Sequence, residues 1–256
     1  MRIATYNVNS IRSRMDAVLQ WLAEYRPDIL CLQETKVQDV EFPELPLREA
    51  GYHLQFRGMK SYNGVAILSR SPPDAVTAGF DDGGPADEPR LLCARWGDLS
   101  VVNTYVPQGR AIDHEMFRYK IEWFRRLRAY FDRNFRPSEA LVWVGDLNVA
   151  AQPIDVYNPE QRAQHVCYHA DAREALAFCR AWGFEDVFRK FHPEGGHYTF
   201  FDYRTADSLA RGWGWRIDYI LASPAMAERA TQCTIDLEPR KQPKASDHTV
   251  MYADFR

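Results

Sequence analysis

The chain has 256 residues, 46% of them apolar and 13% aromatic, with a formal net charge of −3. This composition supplies a substantial core and excludes a disordered or fibrous protein. No run of about 18 apolar residues is present, which excludes a membrane-spanning helix.

The start, "MRIATYNVNS", alternates like a strand over residues 2–8 and lacks the order of a secretory leader, so a cytoplasmic location with no membrane association is expected. A helix follows over 14–25, where Met15, Val18, Leu19 and Leu22 share a face and Ser13 with Asp16 forms a capping pair. "ILCLQE" (29–34) is a continuously apolar strand ending in Glu34, and "GVAILSR" is another. "DDGGPADEP" (81–89) reads as an exposed loop, and "LLCARWGDLSVVNTYVP" as a hairpin turning near "WGDL". The segment from Asp113 to Phe135 is the most helical, with Phe117, Ile121, Phe124, Leu127 and Phe131 in one stripe. Its basic residues, among them Arg118, Lys120, Arg125, Arg126, Arg128, Arg133 and Arg136, read as a solvated face. A further strand runs through "ALVWVGDLNVAA" (140–151), and a second helix lies near 171–182. Four short strands are then expected in "HYTFFDY", "WRIDYILAS", "ATQCTIDL" and "HTVMYADF". Strands alternate with helices early and crowd together late, which predicts an α/β protein of mixed sheets with helices packed outside, in one domain over 1–256.

Five scattered cysteines, with no C-x-x-C spacing, predict reduced and packed thiols rather than disulfides or a thiolate metal site. "HVCYH" (165–169) has metal-like spacing but sits in an expected loop with no second ligand pair, and is not read as a zinc site.

Strand after strand ends in a polar residue. Asn7 and Asn9 follow the first, Glu34 the second, Tyr105 and Gln108 another, and Asp146 and Asn148 end "VWVGDLN". Asp218 interrupts "WRIDYIL", and Asp247 with His248 opens the last strand. Any one of these could be a turn residue or a surface ion-pair partner, such as Glu34 with Lys36. Together they describe a site on one rim of a sheet, because isolated buried carboxylates are too costly to recur without a use. In "VWVGDLNVA" a period of two puts Asp146 and Asn148 on one side, and Gly145 allows a tight turn or a close neighbour.

Carboxylates and amides without thiolates favour a hard cation, Mg²⁺ or Mn²⁺. No G-x-x-x-x-G-K-[ST] or G-x-G-x-x-G motif occurs, which argues against P-loop and dinucleotide chemistry. Metal-assisted attack of water on a phosphodiester fits the remaining residues. The negative net charge does not oppose a nucleic-acid partner, since a divalent cation offsets part of it and basic residues can segregate to one face.

The blocks "TYNVNSIRSR", "PDILCLQETKV", "YNGVAILSR", "NTYVPQGR", "VGDLNVA", "YTFFDYR", "GWRIDYILAS" and "SDHTV", in this order, resemble the exonuclease III-like apurinic/apyrimidinic endonucleases of the endonuclease/exonuclease/phosphatase superfamily. The resemblance spans residues 5–250. It implies a four-layered α/β sandwich, two mixed β-sheets packed face to face and flanked by helices. It implies Mg²⁺-dependent cleavage of duplex DNA 5′ to abasic sites, often with 3′–5′ exonuclease and 3′-repair phosphodiesterase or phosphatase activity on 3′-blocked ends. Glu34 would ligate the metal, with Asn7 and Asn9 beside it and Asp247 assisting. Asp146 would orient or deprotonate the attacking water, and Asn148 would fix the geometry. His248, held by Asp218, and Tyr105 would contact the scissile phosphate. Phe200, Trp215 and Ile217 would wall a niche for a flipped-out deoxyribose, and Arg12, Gln108, Arg110 and Arg204 are candidate substrate contacts. A monomer is expected. Thr249, Val250, Phe201 and Ser10 depart from the family's usual residues, and none of them removes a charged group. Two alternatives are a superfamily phosphatase or phosphodiesterase on another phosphate ester and a non-catalytic phosphate-binding module.

Overall fold

In the computed structural model, which describes residues 1–84 and 88–256, the first half of the chain runs β1 (Arg2–Asn7), α1 (Ile11–Tyr25), β2 (Ile29–Gln33), α2 (Glu44–Glu49), β3 (His53–Arg57), β4 (Val65–Ser69), β5 (Ala75–Ala78), β6 (Leu91–Trp96), β7 (Leu99–Tyr105) and α3 (Glu115–Asn134). The second half runs β8 (Ala140–Asp146), α4 (Ala170–Arg180), β9 (Glu185–Asp186), α5 (Val187–Phe191), β10 (Asp218–Ala222), α6 (Pro224–Ala227), β11 (Ala230–Asp236), α7 (Glu238–Lys241) and β12 (Val250–Phe255). Two six-stranded sheets result, in the orders β11-β12-β1-β2-β4-β3 and β5-β6-β7-β8-β10-β9. Each has one parallel pair at its centre, β1 with β2 and β7 with β8, and antiparallel strands around it. A helix, α1 or α3, makes each parallel crossover, as a parallel pair requires.

Alternation along the strands builds the layers. In β8, Val142 and Val144 face the other sheet, where they meet Ile3, Ile67 and Met251. Leu141 and Trp143 face outward against Phe124, Leu127 and Phe131 of α3 and Leu176 of α4. On the opposite outer face, Ala4, Tyr6, Leu30 and Leu32 pack under Val18, Trp21 and Leu22 of α1. The strands therefore read as apolar throughout because both faces are covered. The result is the four-layered sandwich. The five cysteines are free and buried in it.

Several local expectations change. Helix α1 begins at Ile11, so Ser13 and Asp16 lie inside it and form no cap. The amides of Ser10 and Ile11 are instead taken by the carbonyls of Glu34 and Thr35, at 2.8 and 3.1 Å, so a neighbouring loop replaces the side-chain cap. The segment "HYTFFDY" is not a strand of either sheet. Its Phe200 makes single bridges to Trp215, just before β10, and to His248, just before β12. It thus pins the ends of both sheets instead of extending one. Lys120 leaves the expected solvated face of α3 and is fully buried. The loop expected over 81–89 falls partly on 85–87, outside the described residues.

Candidate active site

The two parallel pairs end side by side, and their last residues turn toward each other. Where β7 and β8 pair, a Cβ on Gly145 would stand 1.9 Å from the Thr104 carbonyl oxygen, and the residue has φ of 137°. Glycine is therefore needed for the close approach that sets Asp146 opposite Tyr105. Just beyond the strands, Asn9, Glu34, Lys36 and Asn148 adopt left-handed φ values of 45°, 50°, 53° and 50°. Such angles are strained for side chains other than glycine and concentrate at functional sites.

At the centre, Asn7 Nδ2 donates to Glu34 Oε1 at 2.8 Å and to Asp146 Oδ2 at 2.9 Å, and so fixes the spacing of the two carboxylates. The Asn7 oxygen accepts the Asn9 amide at 3.0 Å. Asn9 Nδ2 donates to Asp247 at 2.9 Å, and Lys36 Nζ bridges Asn9 Oδ1 and Glu34 Oε2 at 2.5 and 2.8 Å. Asp146 Oδ1 accepts the backbone amide of Asn148 at 2.9 Å, and Asn148 Nδ2 is anchored on the Val106 carbonyl at 3.0 Å. Across the cleft, His248 Nδ1 lies 2.8 Å from Asp218 Oδ2, while its Nε2 points to Asp146 Oδ2 at 3.7 Å. All these side chains were expected at the site from the strand ends, except Lys36, seen in the sequence only as a surface partner of Glu34.

Electrostatics divide the roles. Burial pushes the Asp146 carboxyl up to about 7, against the pull of His248 and with help from Asp218 and Glu34. Burial also opposes a charge on His248, but Asp218 and Asp146 outweigh it and lift the imidazole to about 10. For Glu34 burial is likewise opposed, here by the Lys36 ammonium and the Asn7 amide, and its pKa falls below the usual carboxylate value. Burial, with Glu34 and Asp146 nearby, drives the Tyr105 hydroxyl well above its ordinary pKa, so it keeps its proton. Among these groups Glu34 is the ionised carboxylate, Asp146 a carboxyl poised near neutrality, His248 an imidazolium and Tyr105 a phenol donor.

Glu34, Asp146 and His248 bring ligating atoms within 4.8 Å of one another. Two carboxylates around this point fit a hard cation, and the Lys36 ammonium already held between Glu34 and Asn9 marks the place as one that attracts positive charge.

Beside this centre opens a cavity of about 260 Å³, lined in part by Phe200, Trp215, Ile217, Gln108, Arg204 and His248. Phe200 packs on His248 with ring centroids 4.9 Å apart. Residues not singled out in the sequence extend the wall. Tyr157 stacks on Trp213 at 5.1 Å, and His165 packs on Trp215 at 4.6 Å. Aromatic residues at irregular spacing in loops carry no periodic signal, so nothing in the sequence groups them. Arg204, at the mouth, pairs with Asp202. Arg12 lies apart, on the first turn of α1 with Glu41 at 3.5 Å, and Arg110 is exposed outside the lining. In "HVCYH", His165 Nδ1 accepts the Cys167 amide and His169 Nδ1 accepts the Asp171 amide, so these rings serve as loop and helix caps.

Behind the wall, Arg216 is buried between Asp155 at 2.7 Å and Asp186 at 2.8 Å, and Arg189 also holds Asp155. Lys120 donates to the carbonyls of Gln108, Asn148 and Val166 at 3.1, 2.7 and 2.9 Å, tying three site loops to α3. Burial lowers its pKa.

Fold and centre together define a hydrolase that works with a bound metal on two stacked mixed sheets. The chain belongs to the Endonuclease/Exonuclease/phosphatase family, whose sequence profile matches residues 4–248. It is 32% identical to exodeoxyribonuclease III of Haemophilus influenzae over 100% of both chains. Among solved structures it is similar to an AP endonuclease from Archaeoglobus fulgidus, with 49% identity and a TM-score of 0.97 over 100% of this chain and 99% of that one. It is also similar to the 3′ phosphatase NExo from Neisseria, solved bound to a product DNA hairpin, with 38% identity and a TM-score of 0.94 over 100% of this chain and 99% of that one.

Proposed function

We propose that this chain is a DNA-repair nuclease that hydrolyses the backbone of duplex DNA 5′ to abasic sites, and that the same centre removes 3′-terminal nucleotides and 3′-blocking phosphates. The observation that carries this reading is the buried Asp146–His248 pair, 3.7 Å apart, at the edge of a cavity walled by Phe200, Trp215 and Ile217. The relatives named exodeoxyribonuclease III, AP endonuclease and 3′ phosphatase support it.

Asp146 takes a proton from water as the water oxygen bonds to phosphorus, with Asn148 holding the carboxylate in place. The P–O3′ bond breaks, and the departing O3′ takes a proton from solvent water to leave a 3′-hydroxyl. The His248 imidazolium, fixed by Asp218, and the Tyr105 hydroxyl donate hydrogen bonds to the phosphate oxygens where negative charge grows. Bound Mg²⁺, or Mn²⁺ in its place, supplies further stabilisation of that charge. Glu34 would hold it, with Asn7, Asn9 and Asp247 around it. An abasic deoxyribose enters the aromatic niche, while Arg12, Gln108, Arg110 and Arg204 meet the DNA backbone. Among the described residues no helix is long and apolar enough to cross a membrane. The reading is completed by a monomer, one catalytic domain over 1–256, acting in the cytoplasm.

The test is a duplex carrying one tetrahydrofuran abasic analogue, incubated with Mg²⁺ and with chelator. A Mg²⁺-dependent nick on the 5′ side is expected, and a 3′-end label on a blocked primer reports the exonuclease and phosphatase reactions. An intact duplex in Mg²⁺ would reject the proposal.

A further inference from the structure

Helix α5 runs out into "FHPEGGH", residues 191–197. His192, Glu194 and His197 each offer one ligating atom, and these atoms all lie within 4.8 Å of one another. Glu194 Oε1 stands 2.9 Å from His197 Nε2 and 3.6 Å from His192 Nδ1. Tetrahedral zinc, with bonds of about 2.0–2.1 Å, places its ligand atoms about 3.3 Å apart. The separations of 2.9 and 3.6 Å from Glu194 Oε1 bracket that edge.

The rings are held rather than loose. Phe188, buried in the sandwich, stacks on His192 with centroids 4.5 Å apart and meets His197 edge-on at 5.5 Å. The Nε2 of His192 is 2.8 Å from the Cys233 carbonyl oxygen. A carbonyl only accepts, so the ring proton sits on Nε2 and the Nδ1 lone pair is left facing Glu194. This is the outer partner that metal-binding histidines characteristically have. From behind, Arg189 donates to the carbonyls of both His192 and Glu194 and fixes the turn between them. Gly196, at φ of 88°, lets the chain reverse so that His197 returns to face His192.

We propose that His192, Glu194 and His197 form a second metal site, for a borderline divalent ion of the zinc type. Two imidazoles and one carboxylate suit such an ion, whereas Mg²⁺ prefers the all-oxygen donors of the Glu34 centre. None of the three residues lines the catalytic cavity. Three protein ligands leave the fourth position to water. The ion cross-links the end of α5 to the segment that runs from His197 into Phe200, and so braces the cavity wall from outside.

The test uses protein stripped of metal and then held in excess Mg²⁺, titrated with Zn²⁺ against a competing chromophoric chelator, with Co²⁺ as an optical probe. Relative to the His192→Ala/His197→Ala variant, the unmodified chain is expected to bind one more zinc per molecule. It is also expected to show a tetrahedral Co²⁺ spectrum and a zinc-dependent rise in Tm that the variant lacks. Glu34→Gln should retain all three properties, which separates this site from the catalytic one. If the double variant does not fold, His197→Gln, altering one partly exposed ring, gives the same reading. Equal zinc stoichiometry and equal Co²⁺ spectra with and without the two rings would overturn the proposal.

Discussion

Asp146 carries its charge in a place that opposes it. It is buried, it faces Glu34 and Asp218, and only Asn7, Asn148 and His248 favour its ionised form. A carboxyl poised near 7 is well matched to accepting a proton at neutral pH. Asp146→Asn keeps the shape and the bond that Oδ1 accepts from the Asn148 backbone amide but removes the proposed base, so cleavage is expected to fall about 10²–10⁴-fold. Its Tm should not drop, because a buried charge is lost along with it. Single-turnover cleavage and a melting curve check both statements, and a fully active variant would show that the carboxylate is only a turn residue. The same burial sets a pH dependence. The base form of Asp146 grows as pH rises through about 7, while His248 stays protonated until about 10. Activity should therefore climb between pH 6 and 8 and decline only well into the alkaline range. A cation beside the carboxylate favours its ionised form, so raising the Mg²⁺ concentration should move the rising limb to lower pH. A profile flat from pH 6 to 8 at low Mg²⁺ contradicts this assignment.

At the scale of elements, the site depends on how strand ends and loops are held. The buried Arg216 sits one residue from both Trp215 and Ile217 of the cavity wall and joins the loop at Asp155 to β9 at Asp186. Replacing it by alanine leaves two buried carboxylates with one cation between them, Arg189 on Asp155, and Asp186 with backbone donors only. A loss of about 3–5 kcal/mol in unfolding free energy is expected, as for other buried pairs broken from one side. Urea unfolding measures it, and a change within error would show that solvent reaches this network. Much of this scale was legible in the sequence. The stripe Phe117, Phe124, Leu127 and Phe131 marks α3, and the doubly apolar run Leu141–Val144 marks a strand covered on both faces, because those patterns reflect burial directly. What the sequence did not reveal depends on distant partners. The start of α1 is set by carbonyls of the loop after β2, and "YTFF" is held by single bridges to the ends of two sheets. Lys120 looked like one charge among many, since only the folded chain brings three carbonyls to its ammonium. The candidate site was legible for a different reason. Acids, amides and a histidine at the ends of apolar strands break the pattern that a core alone would follow.

For the whole molecule, a net charge of −3 has to be reconciled with the proposed polyanionic partner. Part of the answer is position. Glu34, Asp146 and Asp218 are gathered at the centre, and several surface acids are engaged in ion pairs, such as Asp254 with Arg2 and Asp82 with Arg126. Around the cavity stand Arg162, over Trp215, and Arg204 at the mouth. Arg110 is exposed just beyond Gln108, whose side chain accepts its backbone amide at 2.8 Å. Among the described residues its guanidinium enters no ion pair, so it is available to a phosphate. A contact of that kind positions DNA without reading the lesion. Arg110→Ala, measured in the Asp146→Asn background so that the duplex stays intact, should weaken intact and abasic duplexes by the same factor. The slope of log affinity against log salt should become shallower by about one unit, as when one phosphate is no longer neutralised by the protein. Fluorescence anisotropy at several salt concentrations gives both quantities. If the variant instead loses its preference for the abasic duplex at unchanged slope, Arg110 acts on the lesion pocket and not on the backbone. The wall of Phe200, Trp215 and Ile217 should govern that preference, because it offers an apolar surface where a base would be missing.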